Sequence, residues 1–225
     1  MGRMESIAGR HPPDVDSRPV AILAAARQAL LARGLGGVRV ADIAALAHVS
    51  SGAVHYHFDT KGEVLTATFR WAADEMFAEI DARMEEAATP TEQMSLLLAL
   101  SVPDTGLVRD QYVLWLQFWG EVLTEPALLG PCEVVSERWH AYFHRVVAAG
   151  VDSGEFHPVA AAEEVGERLI AIVDGFGFET VIGYHWTSPQ RMRTILTRFA
   201  SEQLGVPITI QGLVPEPPPE DGPNP

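Results

Sequence analysis

The amino-acid sequence predicts an all-α fold. In every long segment the apolar residues recur three or four positions apart, which is the spacing of one face of an α-helix. Helix-start signals precede several segments, as in Ser17-Arg18-Pro19 and Ser188-Pro189, where a capping hydroxyl is followed by proline in the first turn. No window alternates apolar and polar residues as a half-buried strand does. We therefore expect helices throughout and no sheet.

The N-terminal part predicts three short helices. The first begins at Ser17 and ends at Gly34, the second covers residues 40–47, and the third covers Ser51–His57. Only residues 48–50 separate the second helix from the third, which is the arrangement of a helix-turn-helix unit. In such a unit the last helix lies in the major groove of DNA and the helix before it crosses the phosphate backbone.

Six further helices are predicted after the third. The first of these opens on a capping-box pattern, with Thr60 at the cap and Glu63 three residues later. The predicted ranges are about 61–88, 91–100, 107–124, 131–150, 158–183 and 189–204. We therefore divide the chain into a mobile arm (1–16), a helix-turn-helix domain (17–66), a second helical domain (67–204) and a disordered proline-rich tail (205–225).

The charge of the chain is unevenly distributed. The 225 residues include 16 Lys+Arg and 30 Asp+Glu, a net charge of −14, which by itself argues against nucleic-acid binding. The first 65 residues contain seven basic and six acidic residues and so carry +1, which leaves −15 on the other 160. The two parts therefore have different partners, and the average charge does not exclude DNA.

Composition also indicates the cellular compartment of the protein. Cys132 is the single cysteine, which excludes a disulfide framework within the chain and a cysteine-based zinc site. No stretch of 18 uncharged apolar residues exists to span a membrane, and the N-terminus has no apolar segment typical of a secretory signal. We expect a cytoplasmic protein without membrane contact.

The predicted third helix has few residues suited to a core. Its residues are small or can form hydrogen bonds, and only Val54 and the following Phe58 are typical buried residues. A two-turn helix that presents hydroxyl, imidazole and phenol groups is suited to contact a polar surface. Small residues at its N-terminus allow close approach to a phosphate or a base edge.

Several spaced elements between residues 40 and 65 carry a family resemblance. They are Ile43-Ala44, the Val49-Ser50 turn, Ser51-Gly52, the aromatic Tyr56 and Phe58, and Thr60-Lys61-Gly62-Glu63-Val64-Leu65. Together they resemble the DNA-binding region of the TetR family of bacterial repressors, over roughly residues 17–66. A tryptophan-containing later helix and the Gly154-Glu155-Phe156 turn are similar to the subgroup typified by betaine-operon repressors.

The resemblance implies a function. The later helices are expected to bind an effector and form a homodimer, and the protein is expected to be a transcriptional regulator. As a repressor it would leave a near-palindromic operator when a small molecule binds. The expected partners are double-stranded DNA, a second copy of the chain and a largely apolar effector, and no cofactor is expected.

The DNA contacts are assigned to the helix-turn-helix and its flanks. The predicted residues are Arg39, Ser50, Ser51, Gly52, Ala53, His55, Tyr56, His57 and Lys61. Two positions depart from the family pattern. Val40 stands where the family usually has a capping threonine, so Arg39 or the backbone must substitute. His48 stands where the family usually has glycine at positive φ, a conformation that histidine tolerates.

Two further sets of residues are assigned to the second domain. The predicted effector pocket contains Tyr112, Trp115, Phe118, Trp119, Trp139, Phe143 and Asp174, and a simple aromatic core is an equally good interpretation of its rings. The predicted dimer interface contains Leu169, Ile172, Val173, Phe176, Met192, Ile195, Leu196 and Phe199. The acidic excess of this domain indicates solvated helix faces, or a preference for cations if the charges lie near a cavity.

Other classes of protein fit the sequence less well. An enzyme is not indicated, because no phosphate-binding glycine loop, Gly-x-Ser-x-Gly or His-Glu-x-x-His motif is present. His55 and His57 are two residues apart and point to different helix faces, so a metal site is not expected there. Cys132 has no partner cysteine and is expected to be an inert thiol. A helical scaffold that does not bind DNA remains the alternative, supported by the near-neutral first segment.

Overall fold

The computed structural model describes residues 17–210, and Ser17 is described by its backbone alone. These residues form nine α-helices and no strand, which confirms the all-α prediction. The helices are α1 (Ser17–Gly37), α2 (Val40–Leu46), α3 (Ser51–His57), α4 (Lys61–Glu86), α5 (Pro90–Leu100), α6 (Gly106–Val122), α7 (Leu129–Ser153), α8 (Ala162–Ile182) and α9 (Pro189–Leu204). A short 3-10 turn, Pro126–Leu128, precedes α7. The predicted mobile arm lies outside the described residues.

The described residues divide into two compact units. The first contains α1, α2, α3 and the start of α4, up to Trp71, and the second begins at Ala72. The core of the first unit contains one or more completely buried apolar side chains from each of its four helices: Ile22, Leu30, Ile43, Val54, Val64 and Phe69. Each short helix is therefore stabilised by packing rather than by its own propensity.

The second unit is a helical bundle. In it α7 packs against α5 and α8, and α8 also packs against α6 and α9. Its core is rich in completely buried aromatic and branched side chains, including Phe77, Leu97, Leu114, Phe118, Phe143 and Leu169. None of the described helices combines the length and the apolar content that crossing a membrane requires.

Local capping signals in the sequence set three of the helix starts. The Ser188 hydroxyl accepts a hydrogen bond from the Arg191 backbone N–H at 3.1 Å, with Pro189 as the first residue of α9. The Thr60 hydroxyl accepts from the Glu63 N–H at 3.1 Å at the start of α4. Before α5, Thr89 and Glu92 form a reciprocal capping box. The first two starts were predicted from the same residues.

Two predicted helix boundaries are wrong because tertiary packing overrides a local signal. Helix α7 does not end at Gly150 but continues to Ser153, and Gly154 ends it at φ +76°. Gly150 lies inside the helix, and its missing side chain makes room for the Phe156 ring, since a Cβ would lie 2.0 Å from that ring. Helix α8 begins at Ala162 and not near Pro158.

The predicted disordered tail is wrong over residues 205–210. Gly205 ends α9 at φ +67°, and the chain then turns so that the Ile208 N–H donates to the Ser201 hydroxyl at 2.9 Å. Ile208 and Ile210 are 2% and 6% exposed. The prolines that dominate the tail begin later, and these two isoleucines stabilise the segment by burial. Residues 211–225 lie outside the described residues.

Candidate functional site

The turn between α2 and α3 has the geometry that the sequence predicts. His48 has φ 56°, and among the described residues no other non-glycine residue has a positive φ. The turn is held by backbone hydrogen bonds from His48 to Ala45 and from Val49 to Ala44. The Ser50 hydroxyl then caps α3 by accepting from the Ala53 N–H at 3.1 Å.

The start of α2 is stabilised without the family's threonine. The Asp42 carboxylate accepts a hydrogen bond from the Arg39 backbone N–H at 3.0 Å and pairs with the Arg33 guanidinium at 3.2 Å. The Arg39 side chain makes no capping hydrogen bond and is exposed. The carboxylate therefore satisfies the backbone N–H of the residue before α2, and the Arg39 guanidinium remains available to a partner.

One face of α3 exposes polar and aromatic side chains to solvent. Val54 is its single buried residue, at 1% exposure, whereas Tyr56 is 85% exposed. Ser50, Ser51, Gly52 and His55 are also exposed, and Ala53, His57 and Lys61 are partly exposed. The Tyr56 and His57 rings meet edge to face at 5.1 Å between centroids. All nine predicted DNA-contact residues thus belong to the first unit and reach its surface, and their contact with DNA stays a prediction.

The second unit contains a cavity of about 60 Å³, large enough for several water molecules. It is lined by Met76, Glu79 and Ile80 of α4, Leu100 and Ser101 at the end of α5, Leu107, Val108, Gln111, Tyr112 and Trp115 of α6, Trp139 of α7 and Asp174 of α8. Four of the seven residues predicted for an effector pocket are in this lining.

The other three predicted pocket residues, Phe118, Trp119 and Phe143, do not line this cavity. Phe118 and Phe143 are completely buried, and Phe143 packs edge to face on Trp139 at 5.1 Å. Trp119 packs against Phe178 at 4.9 Å between ring centroids. These rings form a core next to the cavity and support the rings that line it.

A carboxylate without a cationic partner faces this largely apolar cavity. Asp174 forms no ion pair with any described residue, and its Oδ1 accepts a hydrogen bond from the Trp139 indole at 3.3 Å. Burial raises the pKa of Asp174 to about 6, and the Trp139 hydrogen bond opposes this rise. The second carboxylate of the lining, Glu79, is already paired with Arg83 at 2.6 Å. Asp174 is thus the group that a positive ligand would stabilise most.

Tyr112 is held in the cavity wall by two tertiary contacts. Its hydroxyl donates to the Ser101 carbonyl at 2.9 Å. Its ring lies against α8 at Gly177, where a Cβ would come within 2.3 Å of the tyrosine. Burial, and then the charge of Asp174, raise the pKa of Tyr112 well above its ordinary value, so the hydroxyl remains a donor.

Eight lining residues were missed from the sequence. Val108 and Gln111 lie one turn before Tyr112 and Trp115 on the same face of α6, so the helical period already contained a signal for them. The contribution of α4 had no such signal. The Gln111 amide donates to the Ala72 carbonyl at 2.9 Å across 39 positions of sequence, and only this packing brings α4 to the cavity.

The predicted dimer residues fall into two groups. Leu169, Val173, Met192 and Leu196 are completely buried within the single chain, so they cannot contact a second copy and the prediction is wrong for them. Ile172, Phe176, Ile195 and Phe199 are partly exposed on α8 and α9. The periodic stripe contained both groups because one helix face packs partly inside the bundle and partly at its surface. The second group stays a prediction.

Two family models match the chain. The model described as bacterial regulatory proteins of the tetR family matches residues 22–68, which include α2 and α3. The model described as the C-terminal part of BetI-type transcriptional repressors matches residues 90–205, slightly more than half of the chain. The two matches cover both the exposed α3 surface and most of the helices that line the cavity.

Individual proteins are similar over much of their length. The transcriptional regulator BetI of Burkholderia mallei is 29% identical over 143 residues, which cover 63% of this chain and 70% of that protein. A transcriptional regulator of Saccharomonospora viridis, solved in complex with choline, is 29% identical with a TM-score of 0.76 over 82% of this chain and 95% of that one. FadR of Bacillus subtilis, solved with stearoyl-CoA, is 17% identical with a TM-score of 0.68 over 81% of this chain and 98% of that one, and so shares the fold.

Proposed function

The chain belongs to the TetR family of bacterial transcriptional regulators, and we propose that it is a homodimeric repressor released from its operator by a small quaternary ammonium compound. Members of this family regulate transcription by binding DNA and are not enzymes. The observation that carries the proposal of a cationic effector is the cavity whose lining combines three aromatic side chains with a carboxylate that has no cationic partner among the described residues.

DNA binding is assigned to the exposed face of α3. Tyr56, His55 and Ser51 are exposed, and the Tyr56 ring packs against the neighbouring His57 ring, while Val54 anchors the helix to its unit. Hydroxyl and imidazole groups on a helix of this kind suit base edges and phosphate oxygens in the major groove. A homodimer would contact two half-sites about one DNA turn (~34–36 Å) apart, and its operator would be a near-palindrome.

A gel shift with the DNA upstream of the protein's own gene tests this assignment. We expect Tyr56→Ala to abolish the shift without changing the elution volume in gel filtration. The matched control is Leu123→Ala, because Leu123 lies in the second unit and is equally exposed, at 87%. Loss of the shift in the control, or retention in Tyr56→Ala, would remove α3 from the DNA contact.

A quaternary ammonium effector is supported by the chemistry of the lining. Aromatic faces attract cations that are too bulky to form strong hydrogen bonds, and tryptophan is the best of them. Tyr112, Trp115 and Trp139 supply three such rings, and Asp174 supplies the negative charge. The choline bound to the regulator from Saccharomonospora viridis is a ligand of this class. This proposal revises the sequence-based expectation of a largely apolar effector.

Calorimetric titration with choline tests the effector class. We expect choline to bind and the neutral isostere 3,3-dimethylbutanol, which replaces the nitrogen by carbon, to bind much more weakly. Equal affinities would mean that the charge is not recognised. A second arm adds choline to the operator complex, where the shifted band should decline as choline rises. By linkage, operator DNA should weaken choline binding by the same factor.

The dimer is assigned to the partly exposed side chains of α8 and α9. Ile195 and Phe199 lie one turn apart on α9, and Ile172 and Phe176 lie one turn apart on α8. A charge in such a surface would be desolvated by association without a partner, so Ile195→Glu should shift the protein from dimer to monomer in sedimentation experiments. The exposed α9 residue Arg198, substituted as Arg198→Ala, is the control.

A further inference from the structure

The indole N–H of Trp115 is a hydrogen-bond donor without an acceptor. Trp115 lies on α6, lines the cavity and is 5% exposed. Its Nε1 is buried and has no hydrogen-bond partner among the described residues. Buried donors in native proteins are almost always paired, so this one requires an explanation.

The other side-chain donors of the cavity lining are already paired. The Tyr112 hydroxyl donates to the Ser101 carbonyl, and the Ser101 hydroxyl donates to the Leu97 carbonyl. The Gln111 amide donates to the Ala72 carbonyl, and the Trp139 indole donates to Asp174. Of the side-chain donor atoms of the lining named here, Trp115 Nε1 is therefore the one without any acceptor, and Asp174 is a carboxylate without a cation.

Trp115 and Asp174 line the same cavity, and Trp139 of the same lining contacts both of them. The Trp115 and Trp139 rings lie 6.1 Å apart between centroids at an interplanar angle of 86°, and Trp139 itself holds the Asp174 carboxylate at 3.3 Å. A small molecule in the cavity therefore lies against both residues. It would need a positive end for Asp174 and an acceptor atom for Trp115.

We infer that Trp115 is a specificity-determining residue, whose indole N–H donates a hydrogen bond to an oxygen carried by the quaternary ammonium effector. The inference rests on the proposed function, because it takes the cationic end of the ligand to lie at Asp174. A hydroxyl or carboxylate oxygen separated from the ammonium nitrogen by two carbon atoms would accept this hydrogen bond. An alkylammonium compound without oxygen leaves the donor unpaired in a cavity from which water has been displaced.

Three probes of nearly equal size separate charge from hydrogen bonding. Choline has both the positive charge and the hydroxyl, propyltrimethylammonium has the charge and a methyl group in place of the hydroxyl, and 3,3-dimethylbutanol has the hydroxyl without the charge. In calorimetric titrations of the full chain we expect choline to bind at least about tenfold more tightly than propyltrimethylammonium.

Substitution of the donor assigns this preference to one atom. Trp115→Phe keeps an aromatic ring and removes the N–H, so the ratio of the two affinities should fall to about one. Trp119→Phe is the matched control, because Trp119 packs against Trp115 at 5.7 Å but does not line the cavity, and its ratio should stay that of the unmodified protein. Thermal unfolding of each variant confirms that it is folded.

The possible failures are distinguishable. If choline and propyltrimethylammonium bind equally to the unmodified protein, or if Trp115→Phe keeps the preference for choline, the inference about Trp115 is wrong while a cationic effector remains supported. If 3,3-dimethylbutanol binds as tightly as choline, or if neither cation binds, the proposed effector class itself is wrong.

Discussion

Replacing Asp174 by asparagine should stabilise the protein without its effector and weaken choline binding. An asparagine side chain is nearly isosteric with that of aspartate, and its oxygen can still accept the hydrogen bond from Trp139. The substitution therefore removes the charge while preserving the shape of the cavity. Asp152→Asn, at an exposed position near the end of α7, is the control for the loss of one negative charge.

The size of the effect follows from the pKa of Asp174. Burial raises this pKa from 3.8 to about 6, so the folded protein holds the proton more tightly than the unfolded chain. Stability is therefore lost as the pH rises from about 4 through about 6, and the full cost is present at neutral pH. With ~1.4 kcal/mol for each pKa unit, the ionised carboxylate costs the fold about 3 kcal/mol.

Asp174→Asn should thus raise the free energy of unfolding at pH 7.5 by up to about 3 kcal/mol. For a chain of this size that corresponds to a rise in Tm of at most ~6–12 °C, measured by differential scanning fluorimetry. A cation that fully offsets the same cost gains up to about 100-fold in affinity, and the variant should lose this gain. A lower Tm in Asp174→Asn, together with unchanged choline affinity, would refute the reasoning.

The pH dependence of binding gives an independent measurement of the same group. Choline is positively charged at every pH used, whereas Asp174 changes from nearly fully ionised at pH 7.5 to about one-tenth ionised at pH 5. Choline affinity should therefore fall about tenfold across this interval in the unmodified protein. It should be flat in Asp174→Asn, and a parallel fall in the variant would assign the titration to another group.

Three further predictions test the fold around the two sites. His48→Gly should raise the free energy of unfolding by up to about 1 kcal/mol, because it removes the Cβ from a residue at φ 56°. The control Ala45→Gly, in the exposed part of α2, should lower the free energy of unfolding, and destabilisation by His48→Gly would contradict a strained turn. Gly177→Ala should displace Tyr112 and weaken choline binding, since the added Cβ would come within 2.3 Å of that ring. Gly175→Ala has open space and should leave the affinity unchanged, so equal choline affinities of the two variants in titrations would contradict the prediction. Ile208→Ala should lower the free energy of unfolding by about 2–4 kcal/mol in denaturant titrations, and Thr209→Ala should leave it unchanged. Equal stability of the two variants would mean that Ile208 is not packed in the fold.

The helix-turn-helix was predictable because its signals are local. The apolar spacing around Ile43, the capping serine at position 50 and the tolerance of histidine for positive φ each depend on a few neighbouring residues. The family resemblance also lies in this segment. Even here, the contacts that Asp42 makes at the start of α2, with the Arg39 backbone N–H and with Arg33, were not indicated by the sequence alone.

The cavity was predictable in part. The aromatic stripe of α6 follows the helical period, so Tyr112 and Trp115 were identified from sequence. The same period made Phe118 and Phe143 equally good candidates, because a stripe cannot distinguish a ring facing a cavity from one facing the core. Burial in the folded chain separates the two.

The fold class, the family and the exposed face of α3 could be read from the sequence alone, because helix periodicity, caps and the tight turn depend on residues close together in the chain. The tertiary structure decided which side chains meet at the cavity. Asp174 and Trp139 are 35 positions apart, and Tyr112 reaches Gly177 from another helix. Such contacts arise from the packing of whole helices, and an unpaired carboxylate or an unpaired indole N–H is recognisable only once every neighbour is in position.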